Sequence, residues 1–154
     1  MIAIMGKGLS NLQQFILVKS IENIPRSEGY VKIFKQVYGL DIEGTEIYAP
    51  EILYEYYGFP KKSWQSPCDI DKSVKGGHGI RYFSMAEIGE KRYKSARVAL
   101  SKAFLRLEER GLLVRWYFGK KHMGARLTDE GRAAGISLKE AGITSISLIP
   151  NSDI

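Results

Sequence analysis

The chain has few of the groups that covalent cross-linking and catalysis need. Its one cysteine, Cys68, excludes an intrachain disulfide, and a lone thiol suits a reducing compartment. The neighbours Pro67 and Asp69 supply no cation to activate that thiol, which argues against redox sensing. The two histidines, His78 and His122, are far apart in turn-like segments. No metal-ligand spacing, nucleophile elbow, Walker pattern or dinucleotide fingerprint occurs. GGHG at 76–79 reads as a flexible turn, because nothing after it reads as a nucleotide-site helix. Neither an enzyme nor a cofactor or metal protein is expected.

Long apolar runs are also missing. FILV at 15–18 is far shorter than a bilayer span or a signal-peptide core, and Gln13, Gln14 and Lys19 flank it. A cytoplasmic protein is the expectation. Apolar content of 44% and charged content of 26% suit one domain over 1–154 with its own core.

Positive charge is present, and it is localised. Residues 81–132 hold thirteen Lys and Arg against six Asp and Glu, an excess of seven. The remainder holds ten basic and eleven acidic residues, so the whole net charge of +6 arises in about a third of the chain. A local basic patch is the electrostatic footprint of a polyanion binder, with a solvated basic surface as the competing reading.

Periodicity places the elements. Residues 9–24 read as a helix whose apolar face is wide enough for a central core helix or a subunit contact, and Pro25 stops it. Residues 30–38 favour a helix, ended by Gly39. Residues 47–57 read as a helix with Pro50 in its first turn. Residues 60–79, with two prolines and three glycines, read as an irregular insertion. IRYF (80–83) is a short strand candidate. Ser84 and Glu87 then have capping-box spacing for a short helix, and KRYK (91–94) reads as a turn.

The strongest helix signal covers 95–110. Ser95 is its expected N-cap, Gly111 its stop, and Ala96, Ala99, Leu100, Ala103, Phe104 and Leu107 its buried stripe. Its cations gather toward the N-terminal half and Glu108 and Glu109 toward the other end, opposite to the order the helix dipole favours. A negative partner at the N-terminal end would explain that order. Residues 112–118 and ARLT (125–128) form a hairpin, with Lys120, Lys121 and His122 at its tip and Arg126 on the return strand. In the tail, 132–141 reads as a brief helix and ITSISLI (143–149) alternates like a strand. The fold class is mainly α with a small antiparallel β hairpin, α+β.

SKAFLRLEERGLLVRWYFG followed by GARLTDEG resembles the recognition helix and wing of winged helix-turn-helix regulators, most closely the MarR family. The family's Leu-Glu-Glu-x-Gly-Leu segment matches Leu107 to Leu112, and its closing Leu-Thr-x-x-Gly matches Leu127 to Gly131. The resemblance covers about a third of the chain. It implies a winged-helix core over 47–131, interrupted by the insertion 60–79, with extra N-terminal helices over 9–38 and a short tail over 132–154. MarR-type dimers use long terminal helices, so here 9–38 would supply most of a homodimer interface.

The resemblance further implies a transcriptional regulator that binds double-stranded DNA, with helix 95–110 in the major groove. Ser95, Arg97, Val98, Ser101 and Lys102 would lie nearest the base edges. Arg97 would be the leading reader, because a guanidinium can bond guanine in bidentate fashion. Lys91, Arg92, Lys94 and Arg106 would meet phosphates. Lys120, Lys121, His122 and Arg126 of the wing, 113–127, would meet the flanking backbone or minor groove. A winged-helix protein-protein interaction module without DNA binding is the alternative. Tyr54, Tyr56, Tyr57 and Trp64 could line a small-molecule effector pocket, with plain aromatic packing as the competing account.

Overall fold

The computed structural model describes residues 8–23, 32, 35–37, 46–60, 83, 85–118 and 122–150. Within them the protein is mainly helical, with one small antiparallel sheet of three strands. The chain begins with α1 (Asn11–Glu22), started by a capping box in which the Ser10 hydroxyl accepts from the Gln13 N–H and Gln13 Oε1 accepts from the Ser10 N–H. Phe15, Ile16, Leu17 and Val18 are all fully buried, so α1 is enclosed on several sides within the chain itself. Residues 32 and 35–37 are helical and exposed, and the other positions of 30–38 lie outside the described residues.

Residues 47–57 do not form one helix. Ile47 and Tyr48 form β1 (Ile47–Tyr48), and the helix begins after them as α2 (Ala49–Glu55). A β-branched and an aromatic side chain suit a strand. Pro50, which cannot donate to the helix ladder, occupies the first turn, where no donor is required. Nearly all of the insertion 60–79, including Trp64, Cys68 and His78, lies outside the described residues.

A single turn, α3 (Met85–Ile88), leads through Gly89 into the longest helix, α4 (Glu90–Glu109). The hairpin follows as β2 (Leu113–Phe118) and β3 (His122–Leu127). Its register runs from Leu113 opposite Leu127 to Phe118 opposite His122. The third strand is β1, with Ile47 opposite Ala125, so the strand order is β1-β3-β2. His122 is therefore the first paired residue of β3 and not part of the hairpin tip as expected. Pairing persists to that position, which leaves a three-residue connection of ordinary hairpin length.

The motif segments have a local physical basis. Gly111 has φ +75°, its N–H donates to Glu108 O, and the Leu112 N–H donates to Leu107 O. That is a Schellman stop, with buried Leu107 and Leu112 as its apolar pair. The Thr128 hydroxyl donates to Gly111 O at 2.6 Å and accepts from the Gly131 N–H at 3.0 Å, capping α5 (Asp129–Glu140). A Cβ on Gly131 would stand 1.7 Å from the Leu112 carbonyl oxygen, so only glycine allows this closure. One turn later Gly135 lets α5 approach α1, where a Cβ would meet Leu17 O at 2.9 Å.

The tail departs from its alternating pattern. Ser145–Leu148 is a short helix, α6, and not a strand. Thr144 and Ser147 form a reciprocal capping box at its start, and Ser145 and Leu148 turn inward. No helix among the described residues is long and apolar enough to cross a membrane.

Candidate nucleic-acid interface

Two features of the sequence around α4 decide where its side chains point. Gly89 has φ +91°, which ends α3, and the helix restarts at once with Glu90. Residues 91–94 are therefore helical, and Ser95 lies inside the helix and is not its cap. A carboxylate at the first position favours that earlier start, because it complements the positive helix end. Twenty residues make a rod about 30 Å long. Tyr93, Ala96, Leu100, Ala103, Phe104 and Leu107 form its buried face. Ala99, expected in that stripe, is exposed beyond its edge.

The opposite face is open. Lys91, Lys94, Ser95, Val98, Ala99 and Lys102, with Glu90, line a shallow hollow of about 760 Å³ along the helix. Lys91, Lys94, Ser95, Val98 and Lys102 thus share one face, as spacings of three, four and seven require. Glu90 and Lys94 pair at 2.8 Å on this surface. The hydrogen bond and charge of Lys94 hold the Glu90 carboxyl below its ordinary range, and the same contact raises the Lys94 ammonium. Lys91 and Lys102 make no ion pair among the described residues, so they give the hollow its net positive character.

Arg97, expected to lead base reading, lies on the flank of this face and is half-buried. Its guanidinium carbon is 5.9 Å from the Tyr93 ring centre, and Nη1 donates to the Tyr93 hydroxyl at 3.3 Å. Ser101 is half-buried beside it. Arg92 is on the other flank, 5.0 Å above the Phe59 ring. Both arginines rest on an aromatic series in which Phe15, Tyr56, Tyr57, Phe59 and Tyr93 follow one another at 5.1 to 6.1 Å. Tyr56 and Tyr57 are thereby packed against the core, and burial pushes both phenols upward. Tyr54 is more exposed than either. Arg106 is exposed near the end of α4.

The hairpin is held to α4 by a contact that sequence reading missed. Glu108 accepts from the Arg115 N–H at 3.1 Å and from its Nε at 2.9 Å. These bonds, the backbone one foremost, hold the Glu108 carboxyl below its ordinary range. Glu108 thus anchors β2, and its position against the helix dipole has a structural cause. The partners are seven residues apart across a turn, so the pairing shows only once α4 and β2 are joined. Arg126 is half-buried on β3, opposite Val114. His122 is placed by its backbone, and Lys120 and Lys121 lie outside the described residues. No group of three or more metal-ligating side chains occurs among the described residues.

Comparison with protein-family models, curated proteins and solved structures returns no match for this chain.

Proposed function

We propose that this chain is a winged helix-turn-helix protein that binds double-stranded DNA sequence-specifically and acts as a transcriptional regulator in the cytoplasm. The observation that carries the reading is the outward face of α4. A helix packed on the core by one side presents Lys91, Lys94, Ser95, Val98 and Lys102 together on the other. A helix of ordinary diameter fits the major groove, and lysines along its face neutralise phosphates and displace counterions. The order helix, strand, helix, single helical turn, long helix and hairpin, with β1 pairing to β3, supports the winged-helix assignment.

In this reading Ser95, Val98 and Lys102 face the bases. Arg97 and Arg92, braced on Tyr93 and Phe59, approach the phosphates on either side. The wing, 113–127, with Lys120, Lys121, His122 and Arg126, grips the flanking backbone. The regulator acts as a homodimer, because two-fold proteins match two half-sites one helical turn apart.

A second reading has one observation in its favour. Val98 and Leu105, seven residues apart on one side of α4, are exposed apolar side chains, which would suit a winged-helix module that docks a protein. Fluorescence anisotropy with a mixed-sequence duplex over a salt series separates the two. The DNA reading expects affinity that falls linearly in log salt, with a shallower slope after Lys120→Ala with Lys121→Ala. A folded protein that fails to bind at low salt would leave the protein-docking module as the account.

A further inference from the structure

Val98 is an exposed valine in the middle of a cationic surface. It is 53% exposed in the hollow of α4, with Lys91, Lys94, Ser95 and Lys102 around it. It contributes little to the buried core, and a β-branched residue is a poorer helix former than alanine. A valine also cannot bond a phosphate. What it offers is a pair of methyl groups held in nearly one rotamer, because branching at Cβ stiffens χ1 within a helix. Ala99 beside it adds a second small apolar side chain to the hollow.

In the major groove the apolar feature that marks a base is the thymine 5-methyl, and apolar side chains recognise it. We propose that Val98 determines specificity by packing on thymine 5-methyl groups, so that the preferred site carries thymine opposite the middle of α4. This rests on the DNA-binding reading above. Ser95, one turn earlier, can donate or accept and discriminates weakly, whereas Lys102, one turn later, acts as a point charge. Leu105 lies two turns beyond Val98 and outside the hollow. A protein partner would need Leu105 and Val98 together; a thymine contact needs only Val98.

The test begins with selection from a random-core duplex library and resynthesis of the selected duplex with deoxyuridine for core thymines. That exchange removes the 5-methyl groups and keeps the base pairing. Wild type should bind the uracil duplex about fourfold more weakly per methyl contacted, the size set by burying one carbon. Val98→Ala should bind the thymine duplex more weakly by a similar factor and treat the two duplexes alike. Leu105→Ala should keep the wild-type preference. Equal binding of both duplexes by wild type, with the salt dependence intact, overturns the thymine contact and leaves DNA binding standing. Selection that converges on no sequence overturns it as well. Failure to bind any duplex removes both.

Discussion

The two sides of this molecule treat charge in opposite ways. Where α1, α5 and α6 meet, Glu22 is surrounded by donors: Lys139 Nζ at 3.0 Å, the Ser145 N–H at 3.1 Å and the Ser145 hydroxyl. On the outward face of α4, Lys91 and Lys102 make no ion pair among the described residues, and the Glu90–Lys94 pair is largely open to solvent. The first side uses its charged groups to close the chain on itself, and its small residues do the same, with Gly131 under Leu112 and Gly135 under α1. The second side keeps its cations turned outward at a cost in self-repulsion, an arrangement that suits an anionic partner. Substitutions on the first side should therefore alter stability, and those on the second should alter binding.

The largest effect should come from Gly131→Ala. The added carbon would collide with the Leu112 carbonyl, whose oxygen accepts from the Thr128 N–H at 3.1 Å and cannot shift without loosening that closure. Urea denaturation followed by circular dichroism should show a loss of about 3 kcal/mol. Wild-type stability in this variant would mean that the hairpin and α5 are not tightly closed on each other.

Next comes Lys91→Ala with Lys102→Ala. Exposed lysines contribute little to folding, so stability should stay within about 0.5 kcal/mol. Affinity for a DNA duplex should fall roughly tenfold, and the log-log salt slope should shrink by about one, for the phosphate that Lys91 no longer neutralises. A large drop in stability with unchanged binding would erase the contrast between the two sides.

Ser145→Ala probes the closed side more gently. It removes the hydroxyl donor to Glu22, which should cost about 1 kcal/mol near neutral pH. Burial raises the Glu22 carboxyl, but bonds from Ser145 and Lys139 outweigh it and leave the group below its ordinary value of 4.5. A depressed carboxyl contributes stability in full above its unfolded value and loses it as pH falls through the folded value. The gap between wild type and Ser145→Ala should therefore close below about pH 4.5, which denaturation at several pH values would show.

The smallest effect belongs to Glu90→Gln. It removes the one carboxylate that lines the hollow among the described residues and releases Lys94. DNA affinity should rise a few-fold at low salt and the gain should fade as salt screens it. A weaker complex would instead point to Glu90 as a direct contact to a base.

Much of this architecture can be read in the chain because it rests on local chemistry. Pro50 in a first turn and Gly111 at a helix stop are short-range devices, and each sits where its pattern indicates. The misread places depend on competing signals or distant partners. Ser95 has the character of a cap, but Gly89 and Glu90 start the helix sooner. Thr144 and Ser147 alternate with apolar residues and so imitate a strand, although together they form a helix cap. Strand β1 exists because β3, far along the chain, pairs with it. In the candidate site, the one-face grouping of Lys91, Lys94, Ser95, Val98 and Lys102 follows from helical spacing once the true start is known. The same start would have revealed Arg97 against Tyr93, four residues apart on one helix.

The contrast between the two sides is tested most directly by amide chemical-shift mapping of the labelled protein during titration with a DNA duplex at low salt. Shifts are expected along 91–102 of α4 and along the hairpin, 113–127, with α5 and α6 left nearly unchanged. Shifts gathered on α5 and α6, or none anywhere at saturating duplex, would contradict it.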